Sequence, residues 1–227
     1  MSKEKWDRNR LFLSSGELEI VINENPVSLQ ASRRKKDIIT SAICKVTSNC
    51  EFMLTDDVQI YIEWWIHEQN RYETDSSADV DNIIKPILDA ISGPDGILIN
   101  DCQVQAVDCR WLDFFNAEQR INIRIKMLDR DGWLLKDGLF FMHMWNGLCY
   151  PTWMDEENPE NTLLIVEQME RMLMLRDERL RQKENYYLAK MLMPVQRIFH
   201  ISRIKGFPVF KVEEIKDKIK AILKNQR

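Results

Sequence analysis

The sequence predicts an α+β domain, a mixed sheet with helices packed on it, followed by a mainly helical C-terminal extension. Three observations carry this. Val58, Ile60, Ile62, Trp64 and Ile66 alternate at strict period two, the pattern of a strand with one face in a core. Ile38, Ile39, Ala42, Ile43 and Val46 recur at helical spacing behind a basic start. The segments then run strand, helix, strand, helix and a strand pair, an order that packs helices onto a sheet.

Taken along the chain, Glu17 to Asn23 alternates as a strand, Pro26 to Ser32 is a loop, and Arg33 to Val46 is the first helix. Val58 to Ile66 is the strongest strand. Arg71 to Ala78 is a polar connection. Asn82 to Ile91 is helical through Ile84, Ile87, Leu88 and Ile91, and Ser92-Gly93-Pro94-Asp95-Gly96 ends it with turn residues. Ile97 to Ile99 is a short apolar, strand-like run. Val104 to Trp111 and Arg120 to Met127 read as two further strands, with Leu112 to Glu118 as their hairpin connection. Asp129-Arg130-Asp131-Gly132 marks a break. The expected division is therefore 1–128 for the α+β domain and 129–227 for the extension. Residues 133 to 154 are rich in Trp, Phe and Met without a clean period. Asn158-Pro159 offers an N-cap with proline at the first helical position, and a helical pattern runs on to about Met193, where Pro194 stops it. Val212, Ile215, Ile219, Ile222 and Leu223 describe a last amphipathic helix.

Composition bounds the reading loosely. The chain has 227 residues, 44% of them hydrophobic and 30% charged, as in an ordinary globular protein. A net charge of -4 carries no global sign of nucleic-acid binding, although a local basic patch can still steer phosphate. The five cysteines include no C-x-x-C pair and read as buried free thiols in a reducing compartment. The polar N-terminus is unlike a signal peptide, and no apolar run approaches the roughly 20 residues that span a bilayer. These features place the protein in the cytoplasm with no membrane partner.

The chemistry concentrates in Asp79-Val80-Asp81-Asn82-Ile83-Ile84-Lys85-Pro86-Ile87-Leu88-Asp89-Ala90 and in Asp101 beyond it. Asp79 and Asp81 lie two apart, so in an extended segment both side chains leave one side of the backbone. Asp81 sits where the helical pattern begins, and Lys85 follows on the same helical face. Three carboxylates at element ends suit a hard divalent cation, and the lysine suits a phosphate. Each member also has a plain structural reading. Asp81 serves equally as an N-cap, Asp101 as a turn residue, and Lys85 as a solvated partner of Asp81 or Asp89. Spacing alone leaves both readings open. It does the same for Arg33, Arg34, Lys35 and Lys36, which suit a DNA backbone or a solvated helix face. Arg8, Arg10 and Arg71 are possible extensions of that patch. Glu73 and Asp75 read as solvated loop.

The D-x-D-N-x-x-K run resembles the signature of the RusA family of Holliday junction resolvases. In that family an apolar stretch with D-A follows, then a glycine, a short strand and D-D-x-x-[IV], seen here as Gly96 through Val104 with Asn100-Asp101 in place of the acid pair. Pro26-Val27-Ser28-Leu29-Gln30 resembles the family's P-x-S-x-N loop with glutamine in place of its asparagine, and Arg33 to Lys36 stands where the family is basic. The similarity covers about residues 15 to 128. It implies that Asp79, Asp81 and Asp101 are catalytic acids holding Mg²⁺, with Mn²⁺ able to substitute, and that Lys85 is catalytic or contacts phosphate. It further implies a RusA-like fold and a homodimer that cuts four-way branched DNA.

The expected function is thus a Mg²⁺-dependent endodeoxyribonuclease acting on branched DNA in recombination and repair. The competing expectation is a non-catalytic DNA-binding or scaffolding module on the same fold, with a protein partner held by the C-terminal helices.

Overall fold

The computed structural model describes residues 15–28, 30–74, 77–113, 120–155, 157–193 and 196–225. It divides into two compact units, Met1–Trp133 and Leu134–Arg227.

The first unit contains β1 (Glu17–Ile22), α1 (Arg33–Thr47), β2 (Phe52–Leu54), β3 (Val58–Ile66), α2 (Glu68–Tyr72), α3 (Val80–Ala90), β4 (Val104–Asp113) and β5 (Arg120–Met127). Four strands form a mixed sheet in the order β1-β5-β3-β4. β5 runs antiparallel to both β1 and β3, and β4 runs parallel to β3. The expected β4–β5 hairpin is therefore not formed: the two strands flank β3 on opposite sides. Burial explains the choice. Every second residue of β3 is buried, so β3 takes the centre, where both of its backbone edges are paired. A parallel β3–β4 pair needs a crossover, and α3 lies within it. Of the expected connection, residues 114–119 lie outside the described residues.

The alternation of β3 and β5 sends Ile60, Ile62, Ile121, Ile123 and Ile125 to one face, all fully buried. Ile39 and Ile43 of α1 and Ile87 and Leu88 of α3 join them in one cluster, so both helices cover that face. Fully burying each such side chain contributes about 2 kcal/mol. On the opposite face Arg124 lies over the Tyr61 ring and Arg120 over the Trp65 ring, each with its guanidinium carbon 4.5 Å from the ring centroid. Trp64 and Trp65 thus divide between core and opposite face, as alternation requires.

Pro86 interrupts α3, where it removes a backbone donor and strains the preceding turn. Burial of Ile83, Pro86, Ile87, Leu88 and Ala90 offsets that cost. The turn after α3 closes on the carbonyl of Ile91, which accepts the N–H of Ile97 at 2.8 Å and of Leu98 at 3.0 Å. Ile97 to Ile99 forms only isolated bridges at Leu98, not the expected short strand. β6 (Trp133–Leu135) lies at the boundary of the two units.

The second unit contains β7 (Leu139–His143), β8 (Leu148–Trp153), α4 (Pro159–Arg181), α5 (Tyr186–Lys190), β9 (Phe199–His200), β10 (Val209–Lys211) and α6 (Val212–Asn225). Its helices pack on a small sheet ordered β10-β7-β8-β9, and Phe140, Met142, Tyr150, Val166, Met169, Val212, Ile215 and Ile219 form their shared core. The long helical pattern breaks earlier than its composition suggests. Lys183 takes a left-handed φ of 61°, and the Asn185 side chain accepts the N–H of Tyr187 to start α5. Pro194 lies outside the described residues. Among the described residues no helix is long and apolar enough to cross a membrane. All five cysteines are free; Cys149 is buried, Cys102 exposed and the others half-buried.

Candidate active site

Asp79 occupies the N-cap position of α3 in extended backbone conformation, yet its side chain makes no capping hydrogen bond. Asp81 follows in the first turn and is exposed. Neither carboxylate has a described partner. The plain reading of Asp81 as the cap therefore fails. Asp79 holds that position and leaves it unused, which keeps both carboxylates available to solvent.

Lys85 extends from the same stripe of α3. Its ammonium donates to Asp89 Oδ1 at 2.5 Å and to Asp101 Oδ2 at 2.7 Å. Burial works against its charge, but the hydrogen bonds to Asp101 and Asp89 outweigh this and hold the ammonium above its ordinary value of 10.5. Lys85 is therefore cationic at neutral pH. The contact with Asp101 joins the two halves of the motif.

Asp101 opens a single 3₁₀ turn, Asp101–Gln103, whose placement rests on two polar side chains. Asn100 Oδ1 accepts the N–H of Cys102 at 3.1 Å. Gln103 is 1% exposed and fully satisfied: Oε1 accepts from Ile99 N at 2.8 Å and Asn100 N at 3.0 Å, while Nε2 donates to the carbonyls of Leu54 and Asp56 at 2.9 Å each. This amide ties the Asp101 turn to the end of β2. Asn100, where the family pattern has an acid, is thus a turn cap, and its acceptor oxygen is what the cap requires. The Asn100-x-x-Gln103 spacing is the sequence signal of this cap.

Asp79 also lines an open cleft of about 560 Å³, together with Pro26, Ser28, Gln30, Lys35, Trp64, Asn70 and Asn82. The Pro26–Gln30 loop, the start of α1 and the end of β3 therefore meet at the head of α3. Ser28 Oγ donates to Gln30 Oε1 at 2.8 Å, which stiffens the loop. Of the expected basic patch, Lys35 reaches this cleft, Arg33 and Arg34 are exposed, and Lys36 is half-buried. Arg8, Arg10, Leu29 and Asp75 lie outside the described residues.

Residues 28–126 match the family model of endodeoxyribonuclease RusA. Over this segment the chain is similar to the RusA family. The matched stretch contains α1 through most of β5, and so all of Asp79, Asp81, Lys85 and Asp101. The RusA family is one of endodeoxyribonucleases. No curated protein matches the chain.

The donor set of the RusA segment fits a hard cation in kind, since carboxylate oxygens are what Mg²⁺ prefers. Asp79 and Asp81 are uncommitted, whereas Asp101 presents one oxygen to Lys85. Among the described residues no three acid, histidine or cysteine side chains stand close enough to form a metal cage. Burial, aided by the Asp108 charge, pushes the Cys109 thiol up to about 11, so this thiol stays protonated at neutral pH.

Proposed function

We propose that this protein is a divalent-metal-dependent endonuclease that hydrolyses phosphodiesters in branched DNA, with a four-way junction as substrate and a homodimer as the working unit. The single observation that carries this reading is the 2.7 Å contact between Lys85 and Asp101, which joins the motif's two halves beside the uncommitted Asp79 and Asp81. The RusA match supplies the reaction class.

Phosphodiester hydrolysis requires an activated water, neutralisation of phosphate charge and relief of the leaving oxygen. Asp79, Asp81 and Asp101 would hold the cation, which would supply Lewis acidity and a water of lowered pKa. The protein's own groups do the rest. Lys85, cationic and held between Asp89 and Asp101, places positive charge where the phosphate gathers negative charge. Lys35, at the cleft that Asp79 lines, draws in the DNA backbone. Two protomers would cut the symmetric strands of a junction, and the unit from Leu134 onward would hold a protein partner or complete the dimer.

The test is cleavage of junction, fork and duplex DNAs by the full chain with Mg²⁺. The parent cuts the junction in preference to duplex. Asp81→Asn lowers the cleavage rate by more than about a thousandfold while junction binding persists. Cutting by the variant at the parental rate would show the assignment to be wrong. Tight junction binding by a parent that never cuts would point to the non-catalytic module instead.

A further inference from the structure

Beyond the acids, the end of β3, helix α2 and strand β4 carry a ladder of rings and a guanidinium that phosphodiester hydrolysis does not use. Trp64, 2% exposed, stacks on Trp111 with centroids 4.4 Å apart and planes 29° apart. The Arg71 guanidinium carbon lies 4.4 Å from the Trp111 ring centroid and 4.7 Å from that of Tyr72. Tyr72 is 67% exposed. No described carboxylate pairs with Arg71, and the nearby Asp113 carboxylate accepts the N–H of Glu68 at 3.1 Å.

The ladder is continuous with the acid cleft. Trp64 and Ile66 line the cleft beside Asp79, and Ile66 also lines a smaller cavity of about 170 Å³ walled by Glu68, Arg71, Tyr72 and Asp113. A ring serving only as packing would be covered. Tyr72 instead presents its surface to solvent, beside a cation and next to a cleft that carries Lys35. An exposed aromatic face with an adjoining guanidinium is the equipment that holds an unstacked base: the ring takes the π face, and the cation takes the base or its phosphate. Branched DNA offers such bases where its helices part.

We propose that the exposed Tyr72 ring, with Arg71 seated beside it on Trp111, is a stacking platform for an unpaired nucleobase of the DNA strand whose phosphate enters the Asp79 cleft. The inference rests on the nuclease reading for its substrate, but its test does not depend on cleavage.

The full-length protein, without divalent metal, is titrated with a short thymidine oligonucleotide and with a blunt duplex of equal length, each followed by fluorescence anisotropy. Tyr72→Ala weakens binding of the oligonucleotide about tenfold, the loss of one stacked base, and leaves duplex affinity within about twofold. Tyr72→Phe, which keeps the ring, binds as the parent does. Arg71→Lys, which keeps the charge but not the plane, loses affinity for the oligonucleotide and not for the duplex. The platform is refuted if the parent does not bind the oligonucleotide, if Tyr72→Ala binds it as tightly as the parent, or if Tyr72→Ala loses duplex binding to the same degree. Junction cleavage by the parent with Mg²⁺ is scored separately. No cleavage with the stacking result intact removes the nuclease reading alone, and cleavage with Tyr72→Ala unimpaired in oligonucleotide binding removes the platform alone.

Discussion

Lys85 and Gln103 do opposite jobs for Asp101. Lys85 meets its carboxylate from α3 at 2.7 Å, and Gln103 anchors the backbone just before it, at Ile99 and Asn100. The first relation was half legible in the sequence, because D-x-D-N-x-x-K places Lys85 on the stripe that follows Asp81. Its partner at Asp101 was not legible, since the residues are joined across the turn that closes on Ile91. The role of Gln103 is not legible in the sequence, because a buried glutamine looks like any polar residue until its four partners are known. Replacing it tests its role. Gln103→Leu strands two N–H groups and two carbonyls in a buried site, which costs on the order of 3 kcal/mol. Urea denaturation will show that loss, and on the proposed nuclease reading junction cleavage will fall further than the unfolded fraction accounts for. Unchanged stability with unchanged cleavage would remove Gln103 from the site.

At the level of elements, the turn between α3 and β4 decides how Asp101 is delivered. A Cβ on Gly96 would stand 2.3 Å from the carbonyl oxygen of Ile91, which already accepts two backbone N–H groups. Neither the carbonyl nor its donors can move without opening the turn. Gly96→Ala should therefore destabilise the protein by about 2–3 kcal/mol, read as a lowered midpoint in chemical denaturation; a midpoint equal to the parent's would mean that the turn has slack. The apolar periodicity of α1, β3 and α3 was legible because each buries one face. Strand pairing was not, because β4 and β5 each read as a strand whether they pair with each other or flank β3. The same holds for α4 and α5: Leu, Met, Glu and Arg favour helix throughout, so only Lys183 and the Asn185 cap place the interruption.

For the whole molecule, a net charge of -4 hides a local arrangement of the opposite sign. Arg33 and Arg34 are exposed at the start of α1, and Lys35 faces the cleft. If these contact DNA phosphates, Lys35→Gln should weaken binding to junction and duplex alike and lower the slope of log K against log salt by about one; an unaltered slope would return Lys35 to the solvated face. The sequence by itself determined the α+β class, the strand Val58–Ile66, the helices packed on the sheet and the candidate residues for the chemistry, because burial periodicity and side-chain type are local properties. Tertiary structure alone decided the order of the strands, the small sheet of the second unit, the meeting of Lys85 with Asp101 and the Gln103 anchor beneath it. Those depend on which distant backbone groups and side chains satisfy one another, and periodicity carries no record of partners.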